Sequence, residues 1–252
     1  MQISRQLEYD PPSPFALKLE AFVRLDDEVL GQIHRLQRRC RRFEARAELL
    51  HEDEVGSRAF ILQDGWAFSY KLLGDGGRQV VDFHVPGDFL GLRSLLLRTS
   101  DHSVAAVTDI VACEIDAAEL RAVLAEAPRL GMALMWALSR DEAMVVEHLV
   151  GIGRRTPLAR TAHLFVELHR RLQLVQLATA TGDYPCPLNQ YILADALGVT
   201  AIHLNRTLRQ LRERKLMTLK AGRVTIHDLA GLTALAEFEG GYLDHEAATS
   251  DA

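Results

Sequence analysis

The stretch Leu193–Leu216, LADALGVTAIHLNRTLRQLRERKL, restricts the fold more than any other part of the chain. Ala194 is small where two helices would cross, Gly198 follows where the chain must turn, and Leu204 is apolar one turn later. Glycine tolerates the positive φ of a sharp turn, and small residues let helix axes approach. Ile192, Leu197, Leu208 and Leu211 complete a small core. This spacing predicts two short helices and a tight turn, the helix-turn-helix arrangement. Thr200 is placed to cap the second helix.

That second helix turns Ala201, His203, Asn205, Arg206, Arg209 and Arg212 away from its apolar side. Between Ala201 and Arg223, seven lysines and arginines face Glu213 alone, although the whole chain carries a formal net charge of −5. The average conceals segregation, because the segment beyond Glu237 is acidic and has no Lys or Arg. Binding depends on the local field. An arginine in the major groove can hold guanine O6 and N7, with Asn or His adding donors or acceptors. The remaining cations would neutralise phosphates. A solvated charged helix face is the bland alternative, but it leaves the turn pattern unexplained. LMTLKAGRVTIHD then predicts two short strands around Ala221 and Gly222, a wing beside the helices.

Upstream, the texture divides the chain. Up to Pro14 it reads as a loose arm, and LDDEVLGQIHRLQRR as a helix with Leu25, Val29, Ile33 and Leu36 on one side. From Phe43 to Ile115, short apolar or alternating runs (AFILQDGWAFSYKLL, RQVVDFHV, SVAAVTD, IVACEI) alternate with glycine-rich turns. That pattern predicts an antiparallel sandwich or roll, with a hairpin at Gly74–Gly77. From Pro128 to about Arg155 a helix of roughly 37 Å follows, at ~1.5 Å per residue. Leu134, Leu138, Val145, Leu149 and Ile152 form its stripe, widened by Met135, Met144 and Val146. A core helix and a helix paired with its twin both fit; the width of the stripe favours the pair. Pro157 opens a further helix with Leu158, Ala162, Phe165, Leu168 and Leu172 on one face.

The expected fold class is α+β: an N-terminal antiparallel β-roll, a long dimerisation helix and a C-terminal winged helix-turn-helix. The expected divisions are an arm (1–20), a roll (21–127), a dimer helix with hinge (128–156), a reader (157–230) and a tail (231–252), disordered after Gly240.

Apolar residues at 48% and charged residues at 25% are ordinary globular values. Cys40, Cys113 and Cys186 lie far apart, with no metal-like or redox-pair spacing. With no apolar leader in MQISRQLEYDPPSPF and no membrane-length window, the expectation is a soluble cytoplasmic chain with reduced thiols. Cys113 reads as core. Cys186, between two prolines, reads as core or as an exposed thiol. Neither a P-loop nor a dinucleotide fingerprint occurs. Asp101-His102-Ser103 superficially suggests a catalytic relay, but residues adjacent along a strand point to alternate faces. No catalytic residues, no metal and no iron–sulfur cluster are expected.

With these segments in order, the chain resembles the Crp–Fnr superfamily of bacterial transcription regulators over roughly residues 40 to 228. PGDFLGL and DHSVAAVTDIVACEI in the roll, and LADALGVTAIHLNRTLRQLRERKLM in the reader, carry the similarity. The resemblance implies a homodimer on double-stranded DNA with an inverted-repeat operator, and RNA polymerase as a further partner. It places base contacts at Ala201, Ile202 and Arg206 with Asn205 adjacent, and phosphate contacts near Gln190, Thr200 and the wing. His203 stands where the better-known members have Thr.

It also implies an effector pocket around Gly91, Leu92, Arg93, His102 and Ser103. In cyclic-AMP-binding members a Glu and an Arg hold the ribose and the phosphate; here those positions fall at Leu92 and His102. An imidazole does not replace a permanent guanidinium fork. Arg93 or Arg98 could substitute, so cyclic AMP is disfavoured, and a different ligand or no ligand stays open. Haem ligation by His84 or His102 is the weaker reading beside a satisfied polar histidine. A rival function is a cyclic-nucleotide-binding module acting on a protein partner through its C-terminal helices.

Overall fold

The computed structural model describes residues 12–55, 58–97 and 99–243. Helix α1 (Pro14–Glu20) is capped by the Ser13 hydroxyl, which accepts from the Ala16 N–H, and it buries Phe15 and Leu19. The expected arm therefore contains a docked helix, because Phe15 packs on Phe89 and Lys18 donates to Asp88 at 2.9 Å. Helix α2 (Asp27–Leu36) follows, with Val29, Ile33 and Leu36 inward.

Eight strands form the roll: β1 (Cys40–Phe43), β2 (Glu48–Leu50), β3 (Arg58–Asp64), β4 (Ala67–Leu72), β5 (Arg78–His84), β6 (Phe89–Leu90), β7 (Ser103–Ala106) and β8 (Ile110–Asp116), with helix α3 (Leu92–Leu97) between β6 and β7. They make two four-stranded sheets, β1-β8-β3-β6 and β2-β7-β4-β5, and the named pairings are antiparallel. Between them Leu49, Leu50, Phe60, Leu62, Leu90, Val104 and Ile110 form an apolar filling. The Gly74–Gly77 turn joins β4 to β5 as expected.

The cysteines correct one expectation. Cys40 on β1 lies directly opposite Cys113 on β8, and the two form a disulfide. Distance along the chain says nothing about strand register, and register sets this pair. Cys113 is buried. Cys186 is also buried, and burial raises its thiol to about 12, so it is no exposed thiol.

Helix α4 (Ala117–Glu126), capped by Asp116, leads into the 27-residue α5 (Pro128–Arg154). Leu134 and Met144 turn toward this chain's own core rather than toward a partner. Met132, Met135, Ser139, Glu142, Val146 and Leu149 instead run along one side at three- and four-residue steps. Met132 is 57% exposed, Met135 61%, Val146 52% and Leu149 70%.

Thr156 caps α6 (Pro157–Leu174), whose Ala162, Phe165, Leu168 and Leu172 are fully buried. Then come β9 (Tyr184–Pro185), α7 (Gln190–Leu197), α8 (Ala201–Glu213), β10 (Met217–Lys220), β11 (Arg223–Ile226) and α9 (Leu229–Leu235). β10 and β11 form the expected hairpin at Ala221-Gly222, both in positive φ, and β9 adds a third strand. The expected tail boundary is also corrected. α9 extends past it, and a 3-10 turn (Gly240–Tyr242) packs back, with the Tyr242 hydroxyl donating to Glu167 and Leu243 buried. Residues after 243, where disorder was expected, lie outside the described residues.

Candidate nucleic-acid interface

The reader is built on a short helical crossing. Asn189 accepts from the N–H groups of Tyr191 and Ile192 to start α7. Gly198 ends that helix at φ +58°, ψ +42°, and its N–H returns to the Ala194 carbonyl. A left-handed cap of this kind satisfies orphan carbonyls and favours glycine. Thr200 Oγ1 accepts from the His203 N–H and starts α8. Leu193, Ala194, Leu197, Leu204 and Leu211 are buried between the helices. Thr207, which the periodicity leaves unassigned, is buried too and donates to the His203 carbonyl.

The opposite face is open to solvent. Ile202, His203, Asn205, Arg206, Arg209 and Arg212 are exposed, Ile202 to 69%. Ala201 is only half-buried and packs partly on the reader's own core. Asn205 donates to the Gln190 side chain at 2.8 Å, so two residues placed separately by the sequence are joined across the turn. Arg209 is held by Glu213 at 2.7 Å. Tyr191, next to Gln190 at the start of α7, is 74% exposed.

The residues of the expected effector pocket do not come together as an open anion cradle. Leu92 is buried, and a side chain at Gly91 would meet Leu50 at 2.0 Å, so Leu50 already fills the approach to that backbone. Arg93 pairs with Asp101 at 2.7 Å and His102 bonds the same carboxylate at 2.8 Å. Ser103 accepts from the Glu52 N–H. Arg93 and His102 are thus both bonded to Asp101, and Ser103 takes no part in a relay with that pair. Arg98 lies outside the described residues. His84, the other haem candidate, is buried and bonds Ser69.

The cyclic nucleotide-binding domain family matches residues 40–127, and the Crp-like helix-turn-helix domain family matches residues 159–235. The nitrogen fixation regulation protein FixK of Azorhizobium caulinodans is 30% identical over 195 residues, covering 77% of each chain. The chain belongs to the Crp–Fnr family of transcription regulators. The transcriptional activatory protein AadR of Rhodopseudomonas palustris is 27% identical to this Crp–Fnr regulator, over 77% of this chain and 80% of AadR. Among solved structures, FixK2 from Bradyrhizobium japonicum superposes with a TM-score of 0.69 at 25% identity, covering 78% of this chain and 96% of that one.

In this Crp–Fnr regulator the reader is docked on the roll. Arg78 on β5 grips Asp195 on α7 through two nitrogens at 3.0 and 2.7 Å, and stacks over Phe68 and Tyr70. The α5–α6 junction is equally tight. Arg155 pairs with Glu147 at 2.6 Å, and Arg160 donates to the Ile152 carbonyl. Behind it runs a buried ionic layer that the sequence did not reveal. Arg171 on α6 bonds Asp82, Asp88 and the Phe83 carbonyl, while His148 on α5 bonds Glu167 on α6. Burial alone would depress His148; the Glu167 carboxylate beside it overcomes this and raises His148 to about 9. Among the described residues no helix is long and apolar enough to cross a membrane.

Proposed function

We propose that this chain binds DNA sequence-specifically as a homodimer, with α8 entering the major groove. One observation carries the reading: a helix started by a left-handed glycine turn and a threonine cap exposes His203, Asn205, Arg206, Arg209 and Arg212 on its outer side, with Gln190 joined to it through Asn205. Arg206 is the base-reading arginine, Ile202 meets an apolar base edge, and Gln190, Thr200, Arg209 and the wing contact phosphate. Ala201, half-turned inward, sets how closely the backbone approaches.

The exposed stripe of α5 supports pairing with a second copy. Its three- and four-residue steps follow the seam of a two-stranded coiled coil. Twofold pairing implies an inverted repeat with half-sites about 34 Å apart. Signals at the roll reach the reader through the Arg78–Asp195 contact and the short junction from Gly151 to Pro157. A signal other than cyclic AMP is favoured at the roll, because Leu92 and His102 stand at the expected ribose and phosphate positions and Arg93 and His102 both bond Asp101. The regulator engages RNA polymerase and performs no catalytic step.

Selection of bound duplexes from a random pool, with and without cyclic AMP, tests the reading together with sedimentation of the free protein. The expected outcome is a twofold-symmetric motif, unchanged by cyclic AMP, from a dimeric protein. A monomer, or a protein indifferent to every duplex at low ionic strength, would overturn it.

A further inference from the structure

A cleft lies where the roll, α5 and the reader meet, and Asp82 on β5 and His148 on α5 both line it. Glu167 on α6 stands directly behind them. Among the described residues, these form the one group of three His, Cys, Asp or Glu side chains whose donor atoms all lie within 4.8 Å of one another. We propose that Asp82, His148 and Glu167 bind a divalent transition-metal ion of zinc-like ligand preference, which ties the three parts of the protomer together.

One imidazole nitrogen and two carboxylate oxygens suit a borderline-soft ion such as Zn²⁺. Donors at about 2.0–2.2 Å from an ion lie roughly 3.4 Å apart in a tetrahedron. His148 Nε2 is 3.0 Å from Glu167 Oε1, and the donor atoms of all three side chains lie within 4.8 Å of one another, so small shifts of the side chains would close the set. The outer hydrogen bonds are those a metal ligand needs. His148 Nδ1 donates to the Val81 carbonyl at 3.2 Å, which aims Nε2 inward. Tyr242 donates to Glu167 Oε2 at 3.0 Å, and the Phe83 N–H donates to Asp82 Oδ1 at 2.8 Å. Such partners fix the tautomer and ligand orientation. The fourth position would face the cleft, which supplies both water and a path for the ion.

Asp82, Asp88, Asp141 and Glu167 converge with Lys18, Arg140 and Arg171 in one buried layer around the group. Arg171 stands 3.1 Å from Asp82 and 3.6 Å from Glu167, and holds both carboxylates in place. The sequence could not show the site, because its ligands come from a strand and two helices far apart in the chain.

Titration of the full-length, chelator-treated protein with ZnCl₂ by calorimetry, and with CoCl₂ by visible absorption, tests the proposal. One ion per chain is expected, with intense four-coordinate cobalt bands and a rise in Tm that grows with free metal. His148→Ala should weaken binding by more than about 100-fold, since losing an outer partner alone costs about 10–100-fold. His51→Ala, which removes a surface His–Glu pair, should leave it unchanged. If His148→Ala fails to fold by circular dichroism, Asp82→Asn makes the same comparison. Absence of a stoichiometric ion, or equal binding in the folded His148 or Asp82 variant, would overturn the site. These readouts need no DNA, so the site and the DNA-binding reading stand or fall separately.

Discussion

Arg206 and Arg209 sit three positions apart on α8, in different surroundings. Arg206 is exposed with no ion pair to an acidic side chain among the described residues, whereas Arg209 is held to Glu213. Arg206→Ala should cost about 1–3 kcal/mol of operator affinity and relax one base position. Arg209→Ala should weaken all sequences alike and flatten the salt dependence by about one phosphate. Competition binding at several salt concentrations separates the two; a uniform, salt-driven loss in Arg206→Ala would remove it from base reading. A second residue-scale expectation concerns pH. Burial against Phe238 and Tyr242 lowers His163 to about 4, because the charged ring is poorly solvated there. Its folded value lies below its unfolded one. The stability it protects is therefore complete above about pH 6.5 and is lost as pH falls toward 4. About 2 kcal/mol should vanish between about pH 7 and about pH 5. His163→Phe, which keeps the ring stacking, should flatten that slope in urea unfolding, and an unchanged slope would place the loss elsewhere.

At the scale of elements, α5 carries the most information. Some of its apolar residues serve this chain's own core, as Leu134, Ala137 and Met144 show. The exposed remainder includes Met132, Met135, Val146 and Leu149 on one side of the helix, with Ser139 and Glu142 between the two apolar pairs. Leu149→Glu is expected to leave the protomer's stability within about 0.5 kcal/mol, because the side chain is already mostly solvated. The same change should convert dimers to monomers in sedimentation and weaken DNA binding with them. A Leu149→Glu dimer would show that another surface pairs the copies. The periodicity made α5 legible as a helix, but not which apolar residues face inward. A stripe wider than one core requires contains two faces, and only the neighbours present on each side decide between them.

On the scale of the whole molecule, long-range pairs hold the parts in register. Cys40 and Cys113 are 73 residues apart, and the bond between them closes most of the roll into one loop. In the chain-entropy account a loop of this length is worth about 4 kcal/mol. Cys40→Ser, or full reduction, should therefore lower Tm while the β1–β8 ladder preserves the fold by circular dichroism. An identical Tm in oxidised and reduced protein would mean that the bond adds nothing to the sheet. The roll–reader contact through Arg78 and Asp195 is of the same kind, as is the ionic layer around Arg171.

The amino-acid sequence alone determined the order of roll, long helix and winged reader, because each rests on local periodicity, turn glycines and capping residues a few positions apart. It also placed the reader's outward face, since Gly198, Thr200 and Leu204 leave α8 little freedom to rotate. Only the tertiary structure decided that α1 is docked, that Cys40 meets Cys113, that Leu50 fills the expected cradle, and that Asp82, His148 and Glu167 converge. The physical reason is range. Local spacing is written along the chain, whereas sheet register and the packing of one layer on another arise from contacts between segments far apart in it.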